Sequence, residues 1–498
     1  MNFFEIFENH FKAVLPELFL TTVIIYLLCY GIFYTSSKEY KYPILIRPIA
    51  WLSLQTFFIS VLLTINNPFD FIVVFNNLLL VDSFTSSVKV IILASAATSI
   101  LISLDYLDKN KINAFEYIVI KLLAILGMML MVSAYDLIAM YLAIELQSLS
   151  LYVLAAFKRD SEYSTEAGLK YFVLGALSSG FLLFGCAMVY GFTGLTGFDE
   201  LAKLFSGSPD LFVMHISGAF VGVVFVMIAL FFKLAAAPFH MWSPDVYEGA
   251  PTTITAFFAI VPKIALLSLL LHLTFYSFYD LIIFWQPAVI AISISSMVFA
   301  TLGALYQIKI KRLLAYSSIG HIGYLLMGLA AGSIEGTQSL IVYIFIYILM
   351  MVNVFSVVLS LRKQDSGQLI KYIAEFANLS RVNPVLAITV VLIFFSMAGV
   401  PPLAGFCSKF YVFSAAVNSS LYFLCLVGVF TSVVGAFYYI RIIKIMYFEK
   451  IKKHTFLYSV TKENSIVLGL STFVTVFFFL YPAPLLLLSH KMALVLCA

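Results

Sequence analysis

"FFKLAAAPFHMWSPDVYEGAP", residues 231 to 251, places a lysine inside an apolar run and a proline five residues after it; a histidine, an aspartate and a glutamate follow within the next ten. Pro238 deletes an intrahelical hydrogen bond and clashes with the turn before it. The apolar stretch 211 to 246 therefore reads as one span split into two half-helices. Unpaired backbone at mid-membrane depth is tolerated only where protein or a water-filled cavity surrounds it. Lys233, just ahead of the break, marks such a place.

The rest of the chain is as apolar as this stretch. Of 498 residues, 62% are hydrophobic and 11% charged, and mean hydropathy is +1.04, so polar side chains are too few to cover a water-soluble globule of this size. About fourteen windows have the roughly 20 apolar residues that a spanning helix needs, the last near 465 to 488. The fold class is an all-α polytopic membrane protein. Period-two alternation is absent, which argues against a membrane β-barrel, and no basic segment followed by a small-residue cleavage site opens the chain, so no removable signal peptide is expected.

A second overlong span, 384 to 416, holds "AGVPPLAG" with Pro401 and Pro402. The two broken spans are the seventh and twelfth, five apart, and so run in opposite directions. Paired breaks in corresponding positions point to inverted repeats with a site at each midplane. The organisation expected is three N-terminal helices in 1–114, a five-helix repeat in 115–275, a second, inverted repeat in 281–446, and a loop with a final helix in 447–498.

Lysine and arginine set the orientation. With fourteen spans, twenty of the 29 fall in loops opposite the termini, among them Lys38, Lys41, Lys111, Lys450, Lys452 and Lys453; Lys12, Lys203 and Lys491 lie on the termini side. Positive loops stay on the cytoplasmic or matrix side, so both termini face outward. That charge placement accounts for the net +4 and leaves nucleic-acid binding without support. Cysteines 29, 186, 407, 425 and 497 form no CxxC pair, and neither GxGxxG nor a P-loop occurs, so no iron–sulfur, zinc or nucleotide site is expected on this chain.

Four ionisable residues lie deep in spans: Glu145, Lys233, Lys263 and Lys409. Each charge at a helix centre costs roughly 2.5 to 3.5 kcal/mol, and such residues mark proton relays or ion pathways by default. In a dry interior, burial disfavours the charged form of lysine and glutamate alike while a neighbouring opposite charge favours it, so a proton can be tipped on or off. A Glu145/Lys233 pair would hold the lysine charged until either partner moved. His321, beside Tyr316, Ser317, Ser318 and Tyr324, completes a polar line of Lys233, Lys263, His321 and Lys409. The structural alternative for each is a plain ion pair or hydrogen-bonded packing. Lys89 and Lys121, near their span ends, are expected to snorkel. Lys170 follows Glu166 by four residues, the order of a surface pair, with a relay role as the alternative; His240, Asp245 and Glu248 read as caps of the second half-helix.

The blocks "AYDLIAMYLAIELQSLSLYVL", "STEAGLKYFVLGALSSG", "FKLAAAPFHMWSPDVYEGAPT", "KIKRLLAYSSIGHIGY" and "AGVPPLAGFCSKFYVF" together resemble the antiporter-like subunits of respiratory complex I, NADH:ubiquinone oxidoreductase, over about residues 115 to 446. The resemblance implies a fourteen-helix fold with two half-channels and a proton route. In it the fifth-helix glutamate is Glu145, the lysine of the broken seventh Lys233, the connecting lysine of the eighth Lys263, and that of the broken twelfth Lys409. It further implies that this chain binds no cofactor while NADH, FMN, iron–sulfur clusters and ubiquinone are handled elsewhere in the complex, and that its partners are other membrane-arm subunits, neighbouring antiporter-like ones included, together with lipids and protons. Animal members lack the first three helices, which this chain keeps. A mitochondrial inner membrane is implied, with a bacterial plasma membrane the alternative. The same architecture serves multisubunit cation/proton antiporters and the chloroplast ferredoxin-dependent complex, and "LAAAP" carries fewer hydroxyls before its break than related subunits do.

Overall fold

The structure is a computed structural model that describes residues 3–35, 45–110, 114–206, 213–364, 367–449 and 458–497. Lys38, Lys41, Lys111, Lys450, Lys452 and Lys453, used above for orientation, lie outside them. The chain forms two compact units, one of Met1–Lys233, Gly249–Ile282 and Val495–Ala498, the other of Leu234–Glu248 and Ile283–Leu494. The expected repeats place 234–248 with the first half; the contacts of those residues place them in the second unit.

In the first unit α1 (Phe3–Ala13), α2 (Leu15–Thr35) and α3 (Ile46–Ile65) precede a hairpin of β1 (Phe71–Val74) and β2 (Leu79–Asp82), paired antiparallel with Phe71 opposite Asp82. The apolar windows gave no sign of this hairpin. Then come α4 (Ser83–Leu101), α5 (Leu104–Lys109), α6 (Glu116–Ser133), α7 (Leu137–Ala155), α8 (Glu162–Thr193), α9 (Phe198–Phe205) and α10 (Val213–Leu234). Local chemistry starts the helices where they start. Asp82 accepts from the Thr85 amide at 2.6 Å while the Thr85 hydroxyl takes the Asp82 amide at 2.9 Å, a reciprocal cap for α4. Asp136 accepts from the Ile138 amide at 2.7 Å and caps α7. After the short α11 (Trp242–Gly249), α12 (Thr252–His272) returns to the first unit, and every residue of it is buried. It packs against α4, α6 and α7 and forms the axis of that unit.

The second unit holds α11 up to Glu248, then α13 (Ile282–Leu305) from Ile283 on, α14 (Ile310–Ala330), α15 (Ile334–Ser360), α16 (Leu379–Val382), α17 (Pro384–Ala398), α18 (Ala404–Asn418), α19 (Tyr422–Phe448), α20 (Lys462–Phe477) and α21 (Ala483–Cys497) up to Leu494. Its buried axis is α15, which packs against α14, α17, α18 and α20.

Among the described residues, eleven helices are long and apolar enough to cross a membrane, and three shorter apolar helices, Gly218–Leu234, Pro384–Ala398 and Ala483–Cys497, accompany them. This is a predominantly helical membrane fold of about fourteen spans. One boundary differs from the sequence reading. The last span, expected over 465–488, ends at Phe477, and α21 begins separately at Ala483, because Pro482 and Pro484 lack amide protons and push the residues before them out of helical geometry.

Candidate functional site

Both expected breaks are real, and each has its own construction. α10 ends at Leu234 and Ala235 takes a left-handed φ of 62°; Pro238 follows in irregular chain before α11. Lys233, half-buried in the last turn of α10, makes no hydrogen bond or salt bridge among the described residues. Glu145, half-buried on α7, is not in ion-pair contact with it, though its charge acts on the lysine. One carboxylate oxygen of Glu145 accepts a long bond from the Ser148 hydroxyl, 3.5 Å, and the other has no partner. The expected Glu145/Lys233 pair is thus an electrostatic neighbourhood and not a closed bridge. On the same unit, Lys263 is buried in α12 directly after Pro262, whose missing amide leaves the Phe258 carbonyl without its helical partner.

The second break is closed by its own lysine. α17 starts on Asn383, whose side chain accepts from the Leu386 amide at 3.1 Å, and ends at Gly399, whose φ of 88° suits a residue without a Cβ. Pro401 and Pro402 follow, and α18 resumes at Ala404. Lys409 on α18 turns back so that its ammonium donates to the carbonyls of Ala398 at 2.9 Å and Met397 at 3.2 Å. Those are end-of-helix acceptors that the break orphans, and a cation there also meets the negative end of the α17 dipole. The ammonium lies 5.2 Å from the centroid of the Tyr324 ring. Gly405 lets the half-helices approach, since a Cβ there would overlap the Ser396 carbonyl.

Lys409 and His321 line one cavity with Ser317, Tyr324, Thr431 and Tyr439, roomy enough for about one water molecule. His321 is buried, with Nδ1 2.8 Å from the Tyr343 hydroxyl and Nε2 3.5 Å from that of Tyr439. Tyr324 meets the Thr431 hydroxyl at 3.2 Å. Sequence neighbours of His321 had been expected to supply these groups. Tyr324 and Ser317 do line the cavity, while the two tyrosines that touch the imidazole arrive from α15 and α19 and carried no signal in the chain.

Three expectations are corrected or narrowed. Lys89 does not snorkel: it is 4% exposed and paired with Glu17 at 2.6 Å. Lys121 does not snorkel either, being fully buried with its Nζ 4.5 Å from the Tyr117 ring and 5.4 Å from the Phe257 ring. Snorkelling needs a stem laid along a lipid-facing surface, whereas α6 is enclosed by α2, α4, α7 and α12. Asp245 and Glu248, expected as caps, form ion pairs: Arg312 bonds both and Lys309 bonds Glu248, tying α11 to the start of α14. Lys170 pairs with Glu166 at 2.7 Å on an exposed face of α8, and no cluster suited to a metal ion occurs among the described residues.

A lysine at each of two interrupted spans, plus a third on a wholly buried helix, defines the class of broken-helix antiporter-like membrane proteins. Residues 134–435 match the family described as NADH:quinone oxidoreductase/Mrp antiporter, TM. The chain is 53% identical to NADH-ubiquinone oxidoreductase chain 2 of Marchantia polymorpha over 99% of its length and 100% of the relative's. Among solved structures it resembles a chain of respiratory complex I from Thermus thermophilus, with a TM-score of 0.77, 26% identity and coverage of 95% of this chain and 99% of that one. A chain of the Mrp complex from Dietzia shares the fold alone, at TM-score 0.83 and 16% identity over 98% and 97% of the two chains. The chain therefore belongs to the NADH:quinone oxidoreductase/Mrp antiporter family, in the chain 2 branch of NADH-ubiquinone oxidoreductase.

Proposed function

We propose that the chain is a proton-translocating subunit of the membrane arm of NADH:ubiquinone oxidoreductase, carrying protons from matrix to intermembrane space across the mitochondrial inner membrane, with both termini on the intermembrane-space side. Its partners are the other membrane-arm subunits, and NADH oxidation, FMN, iron–sulfur and ubiquinone chemistry belong to other chains. Glu145, Lys233, Lys263, His321 and Lys409 are the relay, residues 115–275 and 281–446 each contribute a half-channel, and Lys170 is a peripheral candidate.

The observation that carries this reading is the shared cavity of Lys409 and His321 beside the second break. A cation held by carbonyl dipoles and an imidazole between two hydroxyls are groups that exchange protons through hydrogen bonds without moving the backbone. In the first unit the balance is charge against charge. A nearby opposite charge favours the charged form of a buried lysine, against a cost of roughly 2.5 to 3.5 kcal/mol for a lysine charge at a helix centre. Neutralising or displacing Glu145 therefore suffices to change whether Lys233 keeps its proton.

The test is the assembled complex carrying Lys233→Ala and Lys409→Ala, reconstituted in sealed vesicles. Protons moved per NADH oxidised should fall, and an unchanged ratio at normal assembly would falsify the proposal.

A further inference from the structure

Lys121 is a buried lysine of the first unit that the proposed pathway leaves unused. Its side chain is entirely buried, and its ammonium nitrogen has no hydrogen-bond partner among the described residues. What faces it are two ring planes, Tyr117 from its own helix and Phe257 from α12. Two cation–π contacts are worth roughly 0.5 to 2 kcal/mol each, whereas an ammonium removed from water without an anion costs several kcal/mol. A residue needed only to fill this volume would be leucine or methionine; an amine here has a use that those lack.

The level of α12 that it packs against suggests the use. α12 starts at Thr252, Phe257 lies five residues in, and Lys263 eleven. The rise of six residues from Phe257 to Lys263 spans about 9 Å along the axis, so Lys121, against Phe257, sits between Lys263 and the end of the unit from which α12 starts. Beside it, at that same end, the Tyr117 hydroxyl donates to Thr253 Oγ1 at 2.9 Å, a polar pair inside an otherwise apolar wall. The rings hold the ammonium without fixing it to an anion, which leaves the charge easy to give up.

We infer that Lys121 is an additional proton-accepting station, feeding Lys263 from the end of the membrane domain where α6 and α12 begin. In the step, one N–H bond of the Lys121 ammonium breaks as one forms on the neutral amine of Lys263, by way of intervening water; the lone pair left on Lys121 Nζ takes the next proton from the aqueous phase at that end. No other bond changes. The inference rests on the relay reading above.

Three variants of the assembled complex test it. Lys121→Met keeps the volume and Lys121→Arg keeps the charge and the ring contacts, but neither can release a proton near neutral pH. Both should lower the rate of proton pumping at least about threefold, which corresponds to roughly 0.7 kcal/mol of barrier. A merely structural role would be rescued by arginine, and full pumping by Lys121→Arg overturns the inference. Lys121→Ala in the presence of small alkylamines adds a readout that packing does not move. Restored pumping whose rate follows amine basicity supports the station; restoration indifferent to basicity overturns it. If Lys233→Ala and Lys409→Ala pump normally the relay itself falls, whereas normal pumping by the Lys121 variants alone removes only this station.

Discussion

The two interrupted helices look alike in sequence, an apolar run with a lysine near a proline, yet they hold their lysines by different physics. Lys409 is clamped by two backbone carbonyls of the break it follows and lies near an aromatic face. Lys233 has no hydrogen bond among the described residues and has Glu145 as its charged neighbour. The first arrangement is charge on dipole, built into the fold and insensitive to any single carboxylate. The second sets one charge near another without a closed ion pair.

The largest effect that would break this comparison belongs to Lys409→Met. Each charge-assisted hydrogen bond is worth roughly 1.5 to 3 kcal/mol, so the variant should lose pumping by more than tenfold and also assemble less well or melt earlier. Lys233→Met sharpens the contrast: pumping falls comparably, but thermal stability of the complex stays within about 1 kcal/mol because no hydrogen bond is lost. Equal destabilisation by the two would erase the distinction drawn here. Next comes Gly405→Ala, which forces the half-helices apart at a cost of roughly 1 to 3 kcal/mol, read as a several-fold drop in assembled complex on native gels. Glu145→Gln keeps shape and removes charge; pumping should fall several-fold through Lys233, with stability changed by less than about 1 kcal/mol because no closed ion pair is lost. Smallest is Lys170→Met, where an exposed pair worth about 0 to 1 kcal/mol predicts less than a twofold change in pumping.

Much of this was legible in the chain because it depends on local rules. Pro238, Pro401 and Pro402 break helices wherever they fall, and lysine in an apolar run is costly wherever it points. The partners were not legible. His321 bonds Tyr343, 22 residues away, and Tyr439, 118 away, and both tyrosines look like ordinary apolar-span aromatics until the helices pack. Lys89 and Lys121 were misread for the same reason. Their distance from a span end suits snorkelling, and only the enclosure of their helices removes that option.

Composition, hydropathy and the proline positions by themselves determined that this protein is a many-spanning helical membrane domain with two interrupted spans and a small set of buried charges, because those properties are set by transfer of each residue from water to lipid. Which buried charge is clamped by carbonyls, which leans on a carboxylate and which is sandwiched by rings was decided by tertiary structure alone. Hydrogen bonds and ring contacts require atoms brought within a few ångströms, and helix packing, not sequence spacing, supplies that proximity.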